Sequence, residues 1–381
     1  MTGAGRDVGD VAAQLTAQLV AVDSVNPGLV PGAAGESEIM ELLRTRLDLS
    51  GFTTHVVQAP GTSDRPSLVA VAPGPAVVPT VVLNGHLDTV GVTGMVAPFE
   101  PRVDGDRLMG RGAADMKGGV GAIVSAAEAL VARAAPVRPV LALVADEEDA
   151  SIGSEAVIAA LPDLGVQPDV CLIAEPTHLA LARSLRGFAV IRVDFAGRAA
   201  HSSQPELGIN AVTALSRFLH TVHGAATQAR SDGGDLMVTW VRGGDSAFVI
   251  PDQAACIVER RTTRIGSVAA ALSEIQALLT PDMHASAELV ASREAWRLDG
   301  EGAAATLAGR LGAELGSGLT FDAPYWMEAP LWQEVCPTVI CGPSGGGLHA
   351  VDEWVDLGQV RGLAHALVDV LPAWARSHRA D

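Results

Sequence analysis

Cationic side chains are in short supply in this chain of 381 residues: lysine and arginine total 26 against 44 aspartates and glutamates, a formal net charge of −18. Such a deficit opposes binding to nucleic acid and adsorption on an anionic membrane. It also repels anionic substrates at long range, so a substrate carboxylate needs a local cationic receptor. Long apolar runs are missing as well. No stretch approaches 18 uninterrupted apolar residues, and the N-terminus has neither a basic region followed by an apolar core nor a small-residue cleavage site. A soluble, cytoplasmic protein is expected. Cysteine is rare, and Cys171, Cys256, Cys336 and Cys341 lie in or beside apolar segments without C-x-x-C spacing. That excludes a disulfide scaffold and reads as buried, reduced thiols. The order G-x-x-x-x-G-K-[ST] of a phosphate-cradling loop is also absent.

Carboxylates and imidazoles, by contrast, stand at spacings suited to a two-metal hydrolase: His86, Asp115, Glu148, Glu175 and His349, with Glu147 directly before Glu148. Carboxylate oxygens and neutral imidazole nitrogens can hold two ions about 3.5 to 4 Å apart around one activated water. His86 and Asp88 end an apolar run beginning at Val81, the pattern of a buried parallel strand. If the chain stays extended there, both side chains face the same way, and Asp88 accepts the free N–H of a metal-bound His86. The same pair equally describes a buried His–Asp hydrogen bond without metal. Asp115 stands among Gly110, Gly112, Gly118 and Gly119, which permit unusual backbone conformations, ahead of a helix-forming stretch to about Ala132. A second apolar run, 140–145, ends in Asp146, Glu147, Glu148 and Asp149, and a third ends in Glu175. Four consecutive acids need a compensating cation or solvent, so the run is either a metal-binding loop or a solvated acidic turn.

Seven blocks, in order over nearly the whole chain, carry a family resemblance. They are Ser24–Pro27, Asn84–Val90, Gly110–Gly119, Ala145–Glu148, Ala174–Thr177, Gly197–Ser203 and Gly342–His349. The chain resembles the zinc-dependent amidohydrolases and exopeptidases that include acetylornithine deacetylase, succinyl-diaminopimelate desuccinylase, aminoacylase and glutamate carboxypeptidase. The resemblance implies two zinc ions, with cobalt able to substitute. His86, Asp115 and Glu175 would hold one ion, and Asp115, Glu148 and His349 the other. Glu147 would take a proton from the metal-bridging water and deliver it to the leaving nitrogen. His201 would stabilise the oxyanion in the active site of a partner subunit, which implies a homodimer through the lid domain.

At this length two domains are expected. The first half alternates buried strands with helical stretches, predicting an α/β catalytic domain of the zinc-peptidase type over 1–183 and 296–381, its mixed sheet flanked by helices. The strand and helix patterns between 184 and 295 predict an inserted α+β lid and dimerisation domain.

For the substrate carboxylate, Arg261 matches the family's carboxylate-binding arginine, but a salt bridge to Glu259 explains it equally. Backbone N–H groups in the stretch 342–347, Gly345 among them, offer further donors. Two departures bear on specificity. Phe248 precedes Val249-Ile250-Pro251 where the family usually has asparagine, and Met327-Glu328 stands where relatives of acetylornithine deacetylase carry Thr-Asp. Phe248 suggests a reshaped, more apolar pocket, Glu328 keeps the charge with a longer reach, and together they suggest a substrate other than the family's commonest one. Trp326 and Trp332 either line that wall or pack in a core. The activity expected is hydrolysis of an N-acyl amino acid or related small amide. Alternatives are a dipeptidase or carboxypeptidase with the same ions, and a non-catalytic binding protein on this fold.

Overall fold

The computed structural model describes residues 7–62, 64–74 and 78–378. The chain divides into two compact units. The first runs through Arg183 and resumes over Leu298–Phe321 and Leu331–Asp381; the second comprises Ser184–Arg297 and Asp322–Pro330. The segment 322–330, which includes Trp326 and Glu328, therefore belongs with the second unit, whereas the sequence pattern placed it in the first.

The first unit is built on a six-stranded sheet in the order Thr53–Gln58, Pro66–Val71, Arg138–Val144, Thr80–His86, Val170–Ile173, Thr338–Ile340. The last four run parallel; Pro66–Val71 runs antiparallel to them, and the edge strand Thr53–Gln58, antiparallel to Pro66–Val71, returns to their direction. Thr80–His86 is buried along its whole length and Arg138–Val144 nearly so, as continuous Val/Leu runs predict for strands covered on both faces. The helices Val8–Val20, Gly118–Ala132 and Leu357–His378 pack on one another. Val8, Ala12, Leu15 and Leu19 make a buried stripe at helical spacing on the first of these, and the Asp7 carboxylate caps its start by accepting from the Asp10 N–H.

The parallel strands matter most for function, because their C-terminal ends deliver side chains to one rim of the sheet. His86 closes one strand, Glu147 and Glu148 follow the next, and Glu175 lies two residues beyond a third. His349 comes from the loop after Thr338–Ile340.

The second unit is a four-stranded antiparallel sheet, Asp235–Gly243, Gln253–Thr262, Gly187–Ala196, Ala285–Arg293, packed with the helices Ala211–Ser231 and Val268–Ala277. Burial in Gly187–Ala196 alternates with period two, so Ala189, Ile191, Val193 and Phe195 enter the core of this unit. All four cysteines are free and buried, and burial pushes the thiols of Cys256, Cys336 and Cys341 up to about 12. Trp332 is fully buried, which settles its role as packing.

Candidate metal centre

The glycines around Asp115 have separate tasks. Gly112 has φ +74, and a Cβ there would stand 2.5 Å from Thr89 Cγ2. Gly119 starts the following helix so close to the strand end that a Cβ would lie 2.1 Å from the Ala174 carbonyl oxygen. Only glycine lets this loop bring Asp115 between the strand ends. The peptide bond from Asp115 to Met116 is cis.

The Asp115 carboxylate lies between two imidazoles. His86 Nε2 is 3.0 Å from Oδ1, and His349 Nε2 is 3.2 Å from Oδ2 and 3.2 Å from Glu148 Oε2. Glu175 Oε1 stands 3.9 Å from His86 Nε2. Donor atoms of His86, Asp115 and Glu148 lie within 4.8 Å of one another, as do those of His86, Glu147 and Glu175. All five expected ligands thus converge, and Glu147 stands in the same ring.

The electrostatics fit a place made for positive charge. Burial opposes a charge on His86, yet the hydrogen bond to Asp115 and the charges of Glu175, Glu147 and Asp88 raise its proton affinity well above that of a free imidazole. Hydrogen bonds to Asp115 and Glu148 push His349 up to about 10. For Asp115, burial acts upward, but the two imidazoles outweigh it and hold the carboxyl below its usual range. Burial and the Asp115 charge raise Glu148, and its Oε1 is buried without a hydrogen-bond partner. A divalent cation supplies what these groups share, a positive charge that accepts oxygen and nitrogen donors. The donor set, two imidazoles and several carboxylates, suits a pair of such ions.

Asp88 departs from expectation. The strand ends at His86, so the alternation of faces does not continue, and the backbone carbonyl of Asp88 accepts from His86 Nδ1 at 3.0 Å while its carboxylate stays 3.7 Å away. The carboxylate instead accepts the backbone N–H groups of Glu147 at 3.1 Å and Glu148 at 3.2 Å. It thus orients the acidic loop, and the peptide carbonyl orients the histidine.

Several contributors were not among the expected site residues. Asn26 Nδ2 donates to Asp88 Oδ2 at 2.7 Å and to Asp146 Oδ1 at 3.1 Å. Arg65 is buried and pairs with Glu36 at 2.6 Å and with Asp146 at 2.8 Å. Asp146 sits at φ +68, just where the strand turns toward Glu147. The acidic run is therefore graded: Asp146 is buried and paired, Glu147 and Glu148 half-buried, Asp149 exposed. Asn26 belongs to the Ser24–Pro27 block; Arg65 and Glu36 come together only through the fold.

In the second unit, His201 is exposed. Its Nδ1 accepts the Ser203 N–H at 3.2 Å and lies 2.7 Å from Ser203 Oγ. A neutral ring there carries its proton on Nε2, outward and able to donate. Backbone hydrogen bonds from Ser202 N to Phe248 O and from Ile250 N to Ala200 O tie this loop to the segment of Phe248, whose ring is 71% exposed. Arg261 pairs with Glu259 and lies 5.4 Å over the Phe188 ring, so of its two readings the local salt bridge is formed. Trp326 packs edge-on against Phe188, and Glu328 is buried. In the first unit, Gly345 runs in a two-residue strand paired with Trp354 and Val355 where an open glycine-rich loop was expected.

Comparison with known proteins agrees with this geometry. Residues 82–373, more than half of the chain, match the family described as peptidase family M20/M25/M40. The chain belongs to that family, and it is a metallohydrolase enzyme that cleaves amide bonds. Among curated relatives, succinyl-diaminopimelate desuccinylase of Dinoroseobacter shibae is 30% identical over 91% of this chain and 94% of its own length. A tripeptidase from Staphylococcus aureus shares the fold with a TM-score of 0.78 at 17% identity, over 97% of this chain and 99% of its own. A dinuclear metal-binding peptidase of Bacillus subtilis does so with 0.69 at 16%, over 96% and 98%. No described helix is long and apolar enough to cross a membrane.

Proposed function

We propose that this enzyme is a dizinc amidohydrolase acting on N-acyl amino acids. The observation that carries the reading is the single carboxylate of Asp115 set between two imidazoles at 3.0 and 3.2 Å. His86, Asp115 and Glu175 would hold one ion, and Asp115, Glu148 and His349 the other. Bound there, two divalent ions acidify water and polarise an amide carbonyl. Glu147 takes the proton of the attacking water and returns it to the leaving nitrogen, an assignment supported by its place in the ring beside His86 and Glu175. His201, with its donor pointing outward, steadies the developing oxyanion in the active site of a partner subunit, within a cytoplasmic homodimer joined through the second unit. Arg261 would receive the substrate carboxylate once it exchanges its bond to Glu259, and Phe248 and Glu328 would shape the second unit's share of substrate recognition; in the first unit, backbone N–H groups around Gly345 would offer donors of the same kind.

The curated relative at 30% identity is named for removal of a succinyl group, which favours an acyl substrate over a peptide. The test is amine release from N-acetyl, N-formyl and N-succinyl amino acids and from dipeptides, with zinc- or cobalt-loaded protein and a chelated control. Chelator-sensitive turnover of an acyl amino acid is expected. Turnover of dipeptides alone would overturn the deacylase reading.

A further inference from the structure

Glu353 falls in none of the seven blocks, yet it is 1% exposed and its carboxylate receives four donors. Oε2 accepts Arg111 Nη1 at 2.7 Å and the Gly112 N–H at 2.9 Å; Oε1 accepts the Ala114 N–H at 2.9 Å and the Asp115 N–H at 3.1 Å. Its backbone carbonyl accepts from Gly110 N at 3.2 Å, and the second guanidinium nitrogen of Arg111 donates to Ala350 O at 3.1 Å. The loop that aims Asp115 is thus fastened through three of its own peptide N–H groups to one side chain. An ionised carboxylate suits this task, because it has two oxygens for four donors and no hydrogen to set against them.

The other end of the same short segment is His349, at φ +61 and half-exposed. Five residues therefore carry a candidate ligand at one end and the fastening of the shared carboxylate at the other. We propose that Glu353 is a positioning residue that sets the spacing of the two metal subsites, holding the Asp115 backbone at a fixed separation from His349. This rests on the reading of Asp115 as the shared ligand. The subsite of Asp115, Glu148 and His349 depends on this segment directly. The subsite of His86, Asp115 and Glu175 depends on it only through the shared Asp115, since its other two ligands come from strand ends.

Glu353→Gln keeps the size of the side chain but turns an NH2 toward peptide N–H groups, Glu353→Asp withdraws the carboxylate by one methylene, and Asp352→Asn alters the exposed neighbour as a control. Metal-free full-length protein of each is titrated with cobalt(II), following visible absorption, metal content and thermal unfolding. In Glu353→Gln both ions feel the displaced Asp115, but unequally: the ion of His86, Asp115 and Glu175 should lose no more than about threefold in affinity and the ion of Asp115, Glu148 and His349 about 10- to 100-fold. Glu353→Asp should lie between, and Asp352→Asn should match the parent. Two cobalt ions bound as in the parent by folded Glu353→Gln protein would overturn the proposal. So would equal weakening of both ions together with loss of folding, the mark of a general structural role. A parent chain that takes up fewer than two ions would defeat the paired-metal reading itself, a failure distinct from both.

Discussion

At the metal end of the first unit, ionisable groups are buried against one another, whereas three candidate residues of the second unit, His201, Phe248 and Arg261, are exposed or paired locally. His86, Asp88 and Glu175 are at most 5% exposed, and the carboxylates around His86 raise its proton affinity against the effect of burial. His201 and Phe248 face solvent, and Arg261 already has Glu259. Burying several carboxylates costs too much without compensating charge, so the first arrangement declares its chemistry by itself. An exposed histidine costs nothing to keep, and its role is defined only by what arrives opposite it. The two regions should therefore respond differently to substitution: the first in metal content or chemistry, the second in turnover or substrate choice with the metal content intact.

The largest effect is expected within the first region and divides it further. Glu147→Gln should lower kcat by about 10² to 10⁴, the range for a lost general base, with both ions retained. Glu147 lies within 4.8 Å of His86 and Glu175 donors, near enough to act as a ligand instead. Kinetics paired with metal analysis separate the two: a fall in metal content alongside kcat would make it a ligand.

His201→Ala should cost about 10² in kcat, as for loss of one oxyanion donor, without changing metal content or thermal stability. Unchanged turnover would end the oxyanion role. Mixing His201→Ala chains with Glu147→Gln chains sharpens the point. If the donor acts across subunits, a hybrid pairs an intact Glu147 with an intact His201 from the other chain and recovers turnover; if it acts within one subunit, no recovery follows.

What could be read from the sequence follows the same division. Continuous apolar runs such as Val81–Leu83 and Val140–Ala145, short and rich in Val and Leu, read as buried strands, and the acids and histidines after them mark the strand ends. The candidates at strand ends, His86, Glu147, Glu148 and Glu175, stood out because a strand end is a fixed place, whereas Asp115 and His349 lie in loops and were assigned through the family resemblance. Asp88 was legible as a supporting residue but not in its bonds, because alternation of faces fails once the strand stops at His86. Arg65, Glu36 and Glu353 had no local pattern to betray them. Each is an ordinary charged residue in sequence, given its role by a partner far along the chain: Glu353 reaches Asp115 across 238 positions. In the second unit, alternation over Val190–Phe195 marked a strand of the sheet, whereas Arg261 left two readings, and its contact with Glu259 shows the local pair without deciding the other.

The smallest expected effect tests whether Phe248 selects substrate. Its ring is 71% exposed, so Phe248→Asn removes little buried area and should change stability by no more than about 0.5 kcal/mol. A side chain that only meets the acyl group by apolar contact contributes about equally before and during the reaction. The substitution should then move KM and leave kcat nearly unchanged. An exposed phenyl ring favours apolar acyl groups, while asparagine offers a donor and an acceptor, so N-acyl substrates with polar ends should gain relative to apolar ones by a factor of about ten. The measurement is the ratio of kcat/KM for a long-chain N-acyl and an N-succinyl amino acid in both proteins. A constant ratio would remove Phe248 from the pocket.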